Sequence, residues 1–293
     1  MRYLANKKHL AFITASLRTF LFFSAIITLL AFGKNDFGQF INEYRWQLYL
    51  LLTMAFLYTL VKKMPLLCLS FFILGAINFF CITSSLNLFN FQPSPNAINI
   101  LFENRGNNPL KVIDTITKTT PDIIAVTNSD LTDFDISGML SENYTLLPAQ
   151  NNENNFMLSK FKVEKSGRIN LDKNHQAPFM CIEHEQDLIT FIAVDFSDFS
   201  YKEIASALKK LSSFISDQDN PVVVFGNFNN VSWSHPLSSF VAKNGLVVKN
   251  SMFDNFRNLI IPPHHYIIGF EKGNFQGNIF LSFLNSFSKF TRF

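Results

Sequence analysis

PVVVFGNFNNVSWSHP, from Pro221 to Pro236, combines a strand, a turn and a helix start. Pro221 to Phe225 is a short β-branched apolar run, the pattern of a strand buried on both faces. Gly226-Asn227-Phe228-Asn229 breaks the run with residues that tolerate tight turns, so polar side chains emerge at the strand's carboxyl end. Ser234-His235-Pro236 then predicts a helix start, with Pro236 at the first helical position and Leu237, Phe240 and Val241 as its apolar face. Sheet enzymes carry their chemistry on junctions of this kind. Trp233, just ahead of the helix, is expected to pack rather than to stack on a ligand.

The 293 residues are 48% hydrophobic and include 35 Phe, high for a purely water-soluble chain. The apolar excess lies in the amino-terminal part, which also differs in charge. Through Ser85 there are eight basic and two acidic residues, whereas the rest of the chain is acidic overall. An acidic domain is a poor electrostatic match for a phosphate backbone, so no duplex nucleic acid is expected as a partner. Cys68, Cys81 and Cys181 are too scattered to form a disulfide framework.

Residues 1–85 predict a membrane anchor of three transmembrane helices. The first is residues 10–33, interrupted only by Arg18, which can snorkel to the interface; an uncleaved anchor fits better than a cleaved signal peptide. The second is Gln47 to Val61, opened by Tyr44 and Trp46 and closed by Lys62-Lys63. The third runs from Met64 to Ser84. With the amino end inside, Arg2, Lys7, Lys8, Arg18, Lys62 and Lys63 lie on the inner side and only Lys34 and Arg45 on the outer. Three crossings put the remainder outside the cytoplasm, which in a bacterium is the periplasmic side of a multi-pass inner-membrane protein.

Residues 86–96, LNLFNFQPSPN, read as a linker, and a globular domain of residues 97–293 follows. Ala97 to Phe102, Asp122 to Thr127, Phe156 to Val163 and Leu188 to Val194 predict strands. Pro109 opens a helix with Asn108 as its cap. Ser200 and Glu203 form a capping box for another, with Ile204, Ala207, Leu208, Leu211, Phe214 and Ile215 on one face. Alternating strands and helices with extra strands between them predict a layered α/β sandwich.

Five segments carry a resemblance to a known family. They are NNPLKVIDTITKTTPDIIAVTN (Asn107 to Asn128), NNFMLSKFKVE (Asn154 to Glu164), FIAVDFSD (Phe191 to Asp198), VVVFGNFNNVSWSHPLSSFVAKNGL (Val222 to Leu246) and PPHHYIIG (Pro262 to Gly269). Together they resemble the endonuclease/exonuclease/phosphatase superfamily, in particular its bacterial members with a three-helix anchor. The resemblance implies a four-layer αββα sandwich and metal-assisted phosphoester chemistry. That chemistry needs a divalent cation, carboxylates to hold it, and an Asp-His pair for acid/base work.

The same resemblance shows where this chain departs. The family's metal-binding glutamate corresponds to Asn128, and the aspartate of its Gly-Asp-Phe-Asn motif to Asn227, with Asn229 kept. A strand-end histidine is replaced near Asp195. His264 stands where the Asp of an Ile-Asp-His strand belongs, leaving His265 in the histidine's place. The terminal Ser-Asp-His should fall within 277–289, a stretch with neither Asp nor His. Neutral amides cannot supply the anionic oxygens a hard cation needs, so no metal or other cofactor is expected. Adjacent His264 and His265 on a strand point to opposite faces and do not make a ligand pair.

Two functional classes follow. One is a catalytically inactive, membrane-anchored binding or scaffold module that meets a protein partner or joins a membrane assembly. The other is a Mg²⁺- or Mn²⁺-dependent phosphodiesterase or phosphatase acting on a lipid head group or nucleotide. In the second, Asp130 moves a carboxylate in beside Asn128, Asn229 and His265.

Overall fold

The computed structural model describes residues 2–33, 35–83, 98–104, 109–127, 143–147, 155–248 and 265–270. Its contacts divide the chain into two units.

The first unit is helical: α1 (Arg2–Leu30), α2 (Asp36–Glu43), α3 (Arg45–Val61) and α4 (Pro65–Thr83), together with Asn230–Ser238. Two segments, Ala11–Leu30 and Pro65–Thr83, are long and apolar enough to cross a membrane. The expectation of three such helices is met only for these two. At 17 residues, α3 spans about 25 Å, short of a hydrocarbon core of about 30 Å. The first and last helices are tied inside the unit by a buried polar pair, Asn78 Nδ2 donating to Thr28 Oγ1 at 3.0 Å. The sequence reading did not predict α2. Asn35 caps it, its side-chain oxygen accepting from the Gly38 N–H at 2.8 Å.

The unit also closes around Trp233. Its indole Nε1–H donates to the Asn42 carbonyl at 2.8 Å, and Asn42 Nδ2 donates back to the Trp233 carbonyl at 3.3 Å. Trp46, Ile82 and Val231 are buried with it. Trp233 is thus a packing residue, as expected from the sequence, and its neighbours come from the helices.

The second unit is an α/β sandwich. A four-stranded sheet contains β1 (Ile100–Asn104), β2 (Ile123–Thr127), β3 (Thr145–Leu147) and β4 (Phe156–Ser159), in the order β1-β2-β4-β3. A six-stranded sheet contains β5 (Val163–Asn170), β6 (Gln176–His184), β7 (Asp187–Asp195), β8 (Val222–Asn227), β9 (Leu246–Val248) and β10 (His265–Phe270), in the order β5-β6-β7-β8-β10-β9. Residues facing inward from both sheets make one core that includes Ile100, Phe102, Ala125, Met157, Met180, Phe191, Val223 and Phe225. The rings of Phe102 and Phe225 meet edge to face at 6.3 Å across it.

Helices cover both outer faces. Helix α5 (Pro109–Thr119) sets Val112 and Ile116 against Ile124, Val126 and Leu158 of the smaller sheet. Helix α6 (Tyr201–Ser216) buries Ile204, Ala207, Leu208, Leu211 and Ile215, and its Phe214 ring lies 4.8 Å from Phe179 of β6. The result is the four-layer αββα order. The capping box is present: Glu203 Oε2 accepts from both the N–H and the hydroxyl of Ser200 at 2.7 Å. These bonds lower the Glu203 pKa, the hydroxyl bond most. Helix α7 (His235–Lys243) follows the Gly226 turn as predicted.

One expectation changes here. The apolar run Phe156 to Val163 is not one strand, because the chain leaves the first sheet at Ser159 and enters the second at Val163. The Ser159 hydroxyl accepts from the Phe161 N–H at 3.0 Å and fixes that crossing.

Candidate functional site

The strand β8 ends where three strands meet. It runs parallel to β7 and antiparallel to β10, so Asn227 is flanked by Asp195 on one side and by the backbone of His265 on the other. This places three of the predicted positions in one row. Asn128, Asp130 and His264 lie outside the described residues, as does the stretch 277–289.

Gly226 makes the approach possible. Its φ is +134°, and a Cβ there would lie 2.0 Å from the Val194 carbonyl oxygen of the neighbouring strand. No side chain fits such a position. Three residues on, Asn229 turns the chain with φ +45°, a left-handed conformation that Asn tolerates better than most residues.

The side chains between these two points form a closed network. Asn227 Nδ2 donates to Asp195 Oδ1 at 3.1 Å, while Asn227 Oδ1 accepts from the Asn229 N–H at 3.0 Å. Asn229 Nδ2 donates to the Ser197 carbonyl at 3.3 Å, and the Ser197 N–H returns to Asp195 Oδ1 at 3.0 Å. Asn227 is 7% exposed, so both ends of its amide are used within the chain and little of it faces water.

Next to the network is a cavity of ≈ 20 Å³ lined by, among others, Thr127, Asn155, His175, Asp195, Ser197 and Asp198. That is room for about one water molecule. The Thr127 hydroxyl is buried and has no hydrogen-bond partner among the described residues.

His175 reaches this cavity from the turn between β5 and β6, a placement the sequence reading missed. Asp172 builds the turn: its Oδ1 accepts from the N–H groups of Asn174 and His175, both at 2.7 Å. Its carboxylate also holds His175 Nδ1, at 2.8 and 3.0 Å. Burial raises the Asp172 pKa, but the hydrogen bonds from Asn174 and His175 outweigh it and the net shift is downward. In the neutral ring a carboxylate on Nδ1 selects the tautomer with its proton there, and Nε2 is then the acceptor. The signal available in the sequence was Asp-Lys-Asn-His between two polar strands.

Among the described residues, the donors beside Asn227 are few for a hard divalent cation. Among the described residues no three His, Cys, Asp or Glu side chains come together as a ligand group. Asp195 is the carboxylate beside Asn227, and its Oδ1 already accepts two hydrogen bonds.

No family model and no curated protein matches the sequence. Similar solved structures include the human Nocturnin catalytic domain with bound sulfate, at 17% identity over 55% of this chain and 73% of that one, TM-score 0.44. A second is a protein from Leptotrichia buccalis, at 14% identity over 59% and 87%, TM-score 0.45. A third, from Bacteroides vulgatus, has 14% identity over 58% and 85%, TM-score 0.44. The two bacterial proteins are described as endonuclease/exonuclease/phosphatase proteins, so solved structures of that family are similar to this chain over somewhat more than half its length.

Proposed function

We propose that this chain is a membrane-anchored member of the endonuclease/exonuclease/phosphatase superfamily that has lost the family's reaction. In this reading it serves as a binding or scaffold module outside the cytoplasm, on the periplasmic side of a bacterial inner membrane. The two-sheet sandwich, the Gly226 turn in the place of the Gly-Asp-Phe-Asn motif and the apolar amino-terminal helices support it. One observation carries the loss of activity. The amide of Asn227 donates to Asp195 and accepts from Asn229, so the motif's first polar residue holds the turn together instead of offering a free oxygen. Losing members of a catalytic constellation costs several powers of ten in rate. The test is hydrolysis of a generic phosphodiester by the full chain in detergent with Mg²⁺ or Mn²⁺. No turnover above the Asn229→Ala variant is expected; turnover that Asn229→Ala abolishes overturns the proposal.

A second reading is favoured by one feature, the Asp172–His175 pair beside Asp195 and Asp198 at the cavity. A neutral imidazole oriented through Nδ1 by a carboxylate is equipped as a general base at Nε2. On this reading the chain is a phosphodiesterase or phosphatase for a lipid head group or nucleotide with relocated acid/base chemistry. Hydrolysis lost in His175→Ala but kept in Asn229→Ala would select it over the first.

A further inference from the structure

Helices α3 and α4 form an antiparallel hairpin whose outer side carries a groove of ≈ 550 Å³, lined by Phe56, Leu60, Lys63, Cys68, Leu69 and Phe72 among others. That is within the size range of small-molecule sites, roughly 300–1,000 Å³. The rings of Phe56 and Phe72, 5.7 Å apart, close one end. The Thr59 hydroxyl in the wall is spent on the carbonyls of Ala55 and Phe56, at 3.0 and 2.9 Å. The interior therefore offers an occupant mainly apolar contact.

The other end is cationic. Lys62 and Lys63 form the hairpin turn, with the Lys63 N–H donating to the Leu60 carbonyl at 3.1 Å and the Met64 N–H to the Thr59 carbonyl at 3.0 Å. Lys63 has φ +55°, the left-handed helix-ending conformation in which Gly is usual and a side chain is strained. The strained position puts an ammonium at the mouth of the groove. Lys62 Nζ lies 5.8 Å from the centroid of the Tyr58 ring. Neither lysine has an acidic partner among the described residues. An apolar slot with Lys63 in its lining and Lys62 next to it in the turn matches one acyl chain beneath a phosphate.

We infer that this groove binds an anionic phospholipid, with an acyl chain between α3 and α4 and the phosphate on Lys63 and Lys62. The inference rests on the reading of this unit as a membrane anchor, and the experiment separates the two. Full chain in membranes is first extracted with alkaline carbonate; release from the membrane fraction overturns the anchor reading itself. Retained protein is then purified in detergent and melted against phosphatidylglycerol and phosphatidylcholine of the same chain length. A saturable rise in Tm is expected for both lipids, with phosphatidylglycerol binding roughly 30-fold more tightly from two lysines near a surface charge. Lys63→Gln should cut that preference about fivefold, and Lys62→Gln with Lys63→Gln should remove it while phosphatidylcholine binding stays. Cys68→Trp, which fills the slot, should weaken both. Lysine variants in the exposed turn keep the test valid if Cys68→Trp fails to fold. Equal affinity for the two lipids, or a preference unmoved by the lysine variants, overturns the proposal. So does a dimer that Cys68→Trp dissociates, which would assign the groove to a second copy of the chain.

Discussion

Asn227 Nδ2 donates to Asp195 Oδ1 at 3.1 Å, joining the carboxyl ends of two parallel strands that pair at these residues. An aspartate at position 227 would set two carboxylates against each other there. Asn227→Asp, which recreates the residue type of the resembling family's motif, is therefore expected to destabilise the sandwich by about 1–3 kcal/mol at neutral pH and to restore no hydrolysis. The sign of its pH dependence is fixed. One carboxyl of the new pair has a raised pKa in the folded state, so the deficit is largest at neutral pH and shrinks as pH falls toward about 4. Melting temperature against pH for the two proteins measures it.

Gly226→Ala is expected to be more damaging than any side-chain truncation in the network. The new methyl would lie 2.0 Å from a backbone oxygen, at φ +134°, and the neighbour is a strand that cannot move without unpairing. A loss of roughly 3 kcal/mol or more follows, seen as a lower Tm or as failure to accumulate folded protein. A variant that melts like the parent chain would show that β7 and β8 do not approach as described.

The same turn shows how far the sequence could be read. A β-branched run, Gly226 and two asparagines act locally, so the strand, the turn and the helix after it could be predicted without knowing their neighbours. The Ser200 and Glu203 capping box is equally local. Strand β5 is different. Its sequence, VEKSGRIN, is mostly polar and sits at the sheet edge with one weakly buried face, so neither composition nor alternation marks it. The Asp172–His175 pair depends on the turn joining that strand to β6, where the Leu171 N–H meets the His175 carbonyl at 2.9 Å. Spacing alone could not reveal it. The position of Trp233 likewise depends on helices almost two hundred residues away in sequence.

Asp172 carries a second pH signature. Its pKa is below the ordinary aspartate value, so its contribution to stability is complete above that value, near pH 4, and is lost as pH falls through the depressed one. Asp172→Asn should cost about 1 kcal/mol or less at pH 7, because the pair is partly solvated, and nothing in strong acid. A difference in Tm that persists unchanged to the lowest accessible pH would contradict the pairing with His175.

Trp233→Phe keeps the aromatic packing on Trp46, Ile82 and Val231 and removes the donor to the buried Asn42 carbonyl. The expected cost is about 1–3 kcal/mol to the helical unit. Trp46 remains as the fluorescent reporter of its melting in detergent. No loss of stability would mean that the hydrogen bond contributes nothing.

The closed amide network predicts that the full chain has no divalent-cation site at Asn227. Melting the purified full-length protein in detergent across a titration of Mg²⁺ and of Mn²⁺ tests this directly, since an ion that binds only the folded state raises Tm saturably. The expected result is no saturable shift with either ion. A saturable rise that Asn227→Ala or Asp195→Asn removes would contradict the account.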